Sequence, residues 1–151
     1  MIVDLVRNDL SKSCVPGSIQ VEEFCKVYSF PYVHQMISSI HGMLKPSIQI
    51  SDVFKNAFPM GSMTGAPKIE VMKVIEELET SKRGLFSGSI GYIDPEQNFD
   101  FNVVIRTLEY EENSETFSIQ SGGAITIDSE PEAEWDEIQL KSSFILQYLK
   151  S

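Results

Sequence analysis

The alternation of apolar and polar residues first predicts a helix over residues 2–11. Apolar residues recur on one side at helical spacing, and polar residues recur on another side at intervals of three and four positions. The polar stripe consists of Asp4, Arg7, Asn8 and Ser11. Pro16 and Gly17 then end the helix, because neither residue favours its continuation.

The next stretch predicts two strands and a short helix. Val, Ile, Tyr and Phe are frequent over residues 18–44, and Pro31 divides this stretch into two strands. The pattern over residues 50–57 indicates a short helix. A stronger helix is predicted over residues 66–79, with Thr64 as its N-cap and Pro67 in its first turn.

The second half of the chain predicts three strands and a final helix. The strands are expected near residues 86–93, 99–110 and 116–127. The final helix runs to about Leu149 and opens with a serine and a glutamate three residues apart, Ser129 and Glu132, as in a capping box. Strands clustered between helices predict an α+β fold with mainly antiparallel pairing.

Composition and charge narrow the functional classes. The 151 residues are 42% hydrophobic and 23% charged, which is typical of one folded domain. A formal charge of −10 without a basic stripe argues against nucleic acid as a partner. No apolar run approaches the ~20 residues of a membrane helix, so no membrane association is expected. Without a recognisable signal peptide or a metal-type spacing of Cys14 and Cys25, the sequence predicts a reduced, cytoplasmic location.

Two glycine-containing segments are candidate anion sites. Residues 61–68, GSMTGAPK, place glycines and hydroxyls before a helix N-terminus, where free N–H groups favour an anion. An ordinary capped turn explains the same pattern. Gly122 and Gly123 end a strand and would let a carboxylate approach the backbone, although a bulge is the simpler explanation.

Charged residues supply two further candidates. Arg106 lies in an apolar stretch, where it either faces solvent or binds a carboxylate through its planar guanidinium. Glu134, Glu137 and Lys141 share one face of the final helix. The two carboxylates have the chemistry to bind Mg²⁺, but a solvated stripe with a Glu–Lys pair is equally compatible with the spacing.

Seven ordered blocks of sequence together resemble the chorismate-binding enzymes, the family that includes anthranilate, aminodeoxychorismate and isochorismate synthases. The blocks are MIVDLVRNDL at 1–10, YVHQMISSI at 32–40, FPMGSMTGAPK at 58–68, RGLFSGSIGYI at 83–93, VVIRT at 103–107, IQSGGAI at 119–125 and EPEAEWDEIQLK at 130–141. The wording GSMTGAPK and SGSIGYI is similar to the aminodeoxychorismate branch. The resemblance covers essentially all of residues 1–151 and implies the C-terminal portion of one chorismate-binding domain, with mainly antiparallel sheets and helices packed outside them.

The resemblance also implies a chemistry. Members of this branch convert chorismate and ammonia to 4-amino-4-deoxychorismate, with Mg²⁺ as cofactor and a glutamine amidotransferase subunit as the source of ammonia. The product serves para-aminobenzoate and folate synthesis. In this chain the resemblance implies that Glu137 is a metal ligand, that Glu134 is the second acid beside it, and that Lys141 lies close to the metal site.

Substrate contacts are implied in the same way. Arg106 matches the residue that binds the enolpyruvyl carboxylate, together with the backbone N–H groups of Gly122, Gly123 and Ala124. Ser62 matches a hydroxyl near the substrate ring.

The chain departs from the family pattern at two positions. Phe86 stands where the family usually has tyrosine, so one substrate hydrogen bond would be lost. The active-site histidine of the family falls on Gln35 rather than on His34, and neighbouring residues of a strand face opposite ways. An amide cannot serve as a general acid or base in the way an imidazole does.

A third departure concerns the start of the chain. Met1 and Ile2 already belong to the helical pattern, without a capping residue before them, which suggests a truncated start. The resemblance implies a preceding segment with another metal-binding glutamate and a nucleophilic lysine. We therefore expect the chain alone to be inactive, and the apolar edges left by missing strands to favour self-association.

Two alternatives remain at this point. Anthranilate synthase component I has the same fold, and a lysine or an alanine in the upstream motif would distinguish the two enzymes. A non-catalytic binding domain that retains the fold is the alternative from another class, since fold does not fix function.

Overall fold

A computed structural model describes residues 1–31 and 33–149. The elements are α1 Ile2–Ser13, β1 Gln20–Ser29, β2 His34–His41, α2 Ile50–Ala57, a 3₁₀ helix Gly61–Met63, α3 Lys68–Leu78, β3 Ser89–Ile93, β4 Phe99–Val103, β5 Leu108–Glu111, β6 Thr116–Ile119 and α4 Pro131–Leu149. The described strands form three separate antiparallel pairs, which confirms the predicted α+β class. The chain divides into two compact units, Met1–Thr80 and Ser81–Ser151.

In the first unit, the last turns of helix α1 contain the buried residues Asp9 and Ser13. The helix ends at Cys14, whose N–H donates to the carbonyl of Leu10 over 2.8 Å. Cys14 is 1% exposed and forms an isolated bridge with Leu44, so the end of the helix is fixed beside the chain that leaves β2. Helix α2 follows after residues 45–49 and contacts α1.

Strands β1 and β2 form the hairpin predicted on either side of Pro31. Their register pairs Val27 with Met36 and Tyr28 with Gln35. The register shifts between Glu23 and Lys26, where Cys25 has a φ of 51°. A bulge of this kind adds a residue to one strand and bends it.

Helix α3 begins later than its sequence predicts. Its first residue is Lys68, and its N-cap is Pro67, without a side-chain cap. The Thr64 hydroxyl instead donates to the carbonyl of Met60 over 3.1 Å. The prediction of Thr64 as the N-cap is therefore wrong, because the hydroxyl closes the preceding turn.

In the second unit, the strand predicted over residues 99–110 is divided in two. Strand β4 pairs with β3, and strand β5 pairs with β6. The break follows from Val104, which leaves the ladder and exchanges backbone hydrogen bonds with Ser87 and Gly88 over 2.9 and 3.0 Å. The predicted strand over 116–127 likewise ends at Ile119, and residues 120–127 form an extended loop.

Helix α4 is the longest described helix and the last element of the second unit. It contains the predicted acidic face. The Ser129 hydroxyl before it donates to Glu134 over 2.6 Å rather than pairing with Glu132.

Few apolar side chains are deeply buried among the described residues. Cys14 and Val104 are the two that form the buried core, at 1% and 4% exposure. Within residues 1–31 and 33–149, none of the helices combines the length and the apolar character that crossing a bilayer requires.

Candidate active site

Arg106 lies in the short segment between β4 and β5. Its φ of 50° places it in the left-handed region, which side chains other than glycine rarely adopt. The segment is held by a bond from the Thr107 hydroxyl to the carbonyl of Ile105 over 2.9 Å and by buried Val104 on the other side. Arg106 is exposed in this turn. The apolar sequence around it suggested a strand, but Arg106 lies outside the described strands.

Arg106 and Lys141 line the same cavity. Its volume is about 10 Å³, roughly the room for one water. The other lining residues are Ile119, Gln120, Ser121, Ser142 and Ile145. Among the described residues, the guanidinium of Arg106 has no protein hydrogen bond or ion pair. Two cationic side chains at one cavity, one of them without an anionic partner, favour binding of a carboxylate.

Lys141 connects helix α4 to the glycine loop. Its ammonium donates to the carbonyl of Gly122 over 3.3 Å and forms an ion pair with Glu137 over 2.5 Å. The side chain of Lys141 is 29% exposed and that of Glu137 is 53% exposed. The acidic face of α4 and the loop after β6 are therefore linked through one amine.

Glu134 lies against the same loop. One of its oxygens accepts the Ser129 hydroxyl, and a Cβ at Gly123 would come 3.2 Å from the other. The Ser129 oxygen in turn accepts the N–H of Thr126 over 3.0 Å. A larger residue than glycine at position 123 would therefore press on the carboxylate of Glu134.

Phe86 is close to the glycine loop as well. It is half-buried in the turn before β3, and its N–H donates to the carbonyl of Arg83 over 3.0 Å. A Cβ at Gly122 would lie 3.9 Å from the tip of its ring. Ala124 is exposed in the same loop. The ring of Phe86 thus faces the loop without a hydroxyl to offer a ligand.

Two predicted site residues belong to the first unit. Ser62 is exposed in the 3₁₀ helix, directly after buried Gly61. Gln35 is exposed in β2 opposite Tyr28, and its neighbour His34 lies 3.0 Å from the hydroxyl of Ser29 through Nδ1. The roles assigned to Ser62 and Gln35 stay predictions.

The carboxylates of α4 fit a hard cation. Glu134 and Glu137 are three residues apart on one helix face, and Mg²⁺ commonly binds one or two carboxylates while retaining several waters. The described residues contain no group of three or more His, Cys, Asp or Glu side chains that could hold a metal ion. Both carboxylates supply the oxygen donors that Mg²⁺ prefers, and a cation at Glu137 would have to displace Lys141.

Some contacts of this site were not predicted. Ser129 and Ser142 contribute a hydrogen bond and a cavity wall, respectively. In the first unit, Asp9 and Lys68 form a buried ion pair. Nothing in the local pattern indicates a contact between residues 59 positions apart. Charged residues are rarely buried without a partner, which is the general signal that could have led to this pair.

Comparison with known proteins identifies the family. Residues 1–147 match the chorismate binding enzymes. The chain belongs to this family. It is 47% identical over 142 residues to an Arabidopsis thaliana protein described as aminodeoxychorismate synthase, chloroplastic, covering 94% of this chain and 15% of that protein. It is 43% identical over 150 residues to Escherichia coli aminodeoxychorismate synthase component 1, covering 99% and 33%.

A solved structure supports the same assignment. Anthranilate synthase component I from Streptococcus pneumoniae superimposes with a TM-score of 0.81 at 34% identity, over 95% of this chain and 32% of that chain. The chain thus spans about a third or less of the length of these relatives. Because the plant relative is described as chloroplastic, the cytoplasmic location stays a prediction.

Proposed function

We propose that this chain is part of an aminodeoxychorismate synthase and that its second unit holds the carboxylates of chorismate. The observation that carries the proposal is the placement of Arg106 and Lys141 at one cavity, beside two glycines and two helix carboxylates. The 43–49% identity to proteins described as aminodeoxychorismate synthases favours this branch of the family.

Binding would use the geometry of the second unit. The guanidinium of Arg106 has two parallel N–H groups for one carboxylate, and among the described residues it has no protein contact that binding would have to break. The bare backbone at Gly122 and Gly123 lets a ligand approach the peptide groups. Since the cavity now holds about 10 Å³, side chains of this unit must move to admit a substrate.

The proposed reaction exchanges a hydroxyl for an amine. The allylic C–O bond of chorismate breaks, a C–N bond to ammonia forms, and water leaves. Glu134 and Glu137 would hold Mg²⁺, which would act as a Lewis acid on the departing oxygen. Lys141 would leave Glu137 and pair with a substrate carboxylate instead. A glutamine amidotransferase subunit is the proposed source of ammonia.

A chimera offers a direct test. The segment of the Escherichia coli component 1 that this chain matches is replaced by the chain, and product formation from chorismate, ammonium and Mg²⁺ is measured by chromatography. We expect 4-amino-4-deoxychorismate. Arg106→Ala should lower kcat/KM roughly ten- to hundredfold, because a charged hydrogen bond to substrate is lost. Glu137→Gln should abolish activity by removing a metal charge.

Controls separate the site from general damage. Glu132→Gln removes an exposed carboxylate from the same helix and should leave the rate unchanged. An active Glu137→Gln chimera would contradict the metal assignment, and an unaffected Arg106→Ala chimera would contradict the carboxylate assignment.

The alternatives predict other products. Anthranilate synthase activity is favoured by the similarity to the Streptococcus pneumoniae enzyme, and the same assay would then yield fluorescent anthranilate. A non-catalytic binding domain would give no product in the chimera, while the isolated chain would still bind chorismate in a titration followed by NMR.

A further inference from the structure

The first unit contains a largely buried ion pair that the proposed chemistry does not use. Lys68 and Asp9 are 2.5 Å apart, and their side chains are only 16% and 8% exposed. Asp9 comes from the third turn of α1, and Lys68 is the first residue of α3. The other lysine–carboxylate pair of α3, Lys73 with Glu70, is 63% and 66% exposed.

The pair is the centre of a small polar network. The Lys68 ammonium also donates to the carbonyl of Pro59 over 2.7 Å. The second oxygen of Asp9 accepts Lys12 over 3.0 Å, and Lys12 donates to the carbonyl of Asn56 over 3.4 Å. Both oxygens of Asp9 are therefore satisfied, as burial of a charge requires.

This network closes the segment between Pro59 and Lys68 into a loop. Lys68 at one end binds the carbonyl of Pro59 at the other, and Asp9 fixes both to α1. In the middle, Gly61 is buried on α1, where an added Cβ would come 2.9 Å from the Cβ of Leu5. The backbone bonds recorded within the loop are short-range turns, such as Met63 N–H to Met60 over 3.0 Å.

Ser62 is held by this arrangement. It follows the buried Gly61 and is exposed in the 3₁₀ helix Gly61–Met63 of this loop. Its hydroxyl makes no protein hydrogen bond among the described residues, so its orientation depends on the backbone that Lys68 and Gly61 anchor.

We propose that Asp9 and Lys68 are positioning residues that fix the loop carrying Ser62 for catalysis. The importance of Ser62 rests on the proposed function together with the substrate contact that the family resemblance implies for this residue, whereas the anchoring of the loop depends on neither. A buried ion pair is a weak source of net stability and is often replaceable by apolar residues of similar volume. Its value here is that it gives the loop one orientation relative to α1.

Hydrogen exchange tests the anchoring on the chain itself. In Lys68→Met, amide exchange over residues 60–66 should rise about tenfold or more, because local opening becomes easier. Exchange in β1 and β2 should be unchanged. Lys73→Met is the matched control on the same helix and should change neither region. A uniform rise across the first unit, or no rise over 60–66, would overturn the proposal.

A double variant keeps the test decisive if Lys68→Met does not fold. Asp9→Leu with Lys68→Met removes both charges and leaves neither buried alone. We expect this variant to fold and still to exchange faster over residues 60–66. Protection of the loop equal to that of the parent chain would show that packing alone holds it.

Kinetics in the chimera test positioning for catalysis. The double variant should lower kcat by about tenfold to a hundredfold with little change in KM, as misplacement of a group beside the reacting ring does. The single variant Lys68→Arg, which keeps Asp9 and a positive charge, should lose less kcat than the double variant. Equal kcat in the double variant and the parent chimera would reject the positioning of Ser62 by this ion pair. A chimera inactive in every form would instead reject the proposed function, while hydrogen exchange would still decide the anchoring.

Discussion

Arg106 shows how one residue can adopt a backbone conformation that its own chemistry disfavours. Its left-handed φ of 50° costs a residue with a side chain about 1 kcal/mol or more. The neighbouring Val104 imposes the turn, because its burial and its bonds to Ser87 and Gly88 fix the chain before it. Local strain of this kind is common where function requires a particular side chain.

This strain leads to a prediction at position 106. Arg106→Gly should leave the free energy of unfolding unchanged or raise it by up to about 1 kcal/mol, because glycine accepts the left-handed region. The same variant should lose chorismate binding with the guanidinium. Thermal melting and a chorismate titration followed by NMR check the two effects. A glycine variant less stable than Arg106→Ala would contradict the account of strain.

The contacts of Glu23 predict that the stability of the β1–β2 hairpin depends on pH. The Lys26 ammonium and the Tyr28 hydroxyl each donate to it over 2.7 Å and lower the pKa of Glu23 below 4.5. The bond to Glu23 raises the pKa of Lys26 to about 12. The carboxylate therefore contributes stability above pH 4.5 that is lost as pH falls through its lowered pKa. The ammonium contributes below pH 10.5 and loses its contribution as pH rises through about 12.

An NMR titration of the Glu23 side chain measures this coupling. Lys26→Met should raise the pKa of Glu23 towards 4.5, because the strongest donor is removed. Lys73→Met, which breaks an exposed pair elsewhere, should leave it unchanged. An unaltered pKa in Lys26→Met would show that the contact does not persist in solution.

At the scale of elements, local pattern predicted what depends on local contacts. Helix α2 and the division of β1 from β2 at Pro31 follow from spacing and proline chemistry alone. The prediction of one long strand over 99–110 was wrong, because Val104 forms backbone hydrogen bonds with Ser87 and Gly88. The periodicity of the sequence does not reveal such bonds. Likewise, Thr64 has the chemistry of an N-cap, but its hydroxyl is used by the preceding turn.

Gly91 provides a prediction for the β3–β4 pair. An added Cβ at this position would overlap the carbonyl oxygen of Asp100 and the backbone of Phe101 on the partner strand. Gly91→Ala should therefore lower the free energy of unfolding by about 1–3 kcal/mol through overpacking. Gly122→Ala meets only the tip of Phe86, at 3.9 Å, and is the matched control. Equal thermal stability of the two variants would contradict the close approach of the strands.

At the scale of the whole chain, spacing predicted the acidic face of α4 and its Glu137–Lys141 pair, but not its contacts with distant residues. Glu134, Glu137 and Lys141 follow from helical periodicity. The approach of Lys141 to Gly122 and the pairing of Asp9 with Lys68 join residues 19 and 59 positions apart. Contacts of that range depend on the complete fold. The local pattern left Gly122 and Gly123 as either an anion site or a bulge, and only the family resemblance favoured the site.

Exposed apolar side chains predict how the isolated chain behaves in solution. Val27 and Met36 form a cross-strand pair of the hairpin and are each 61% exposed, and Trp135 on α4 is also 61% exposed. Apolar surface of this kind favours association, since contact with a second copy removes it from water. We therefore expect the chain to elute above its monomer mass in size-exclusion chromatography with light scattering, increasingly so at higher concentration.

A charged double variant tests this surface. Val27→Lys with Met36→Glu should shift the chain towards the monomer, because an opposite-charge pair replaces the apolar pair without disturbing the strand pairing. The same charges placed two residues along the hairpin, at Ser29→Lys with His34→Glu, should have little effect. A parent chain that is monomeric at every concentration would show that this surface does not drive association.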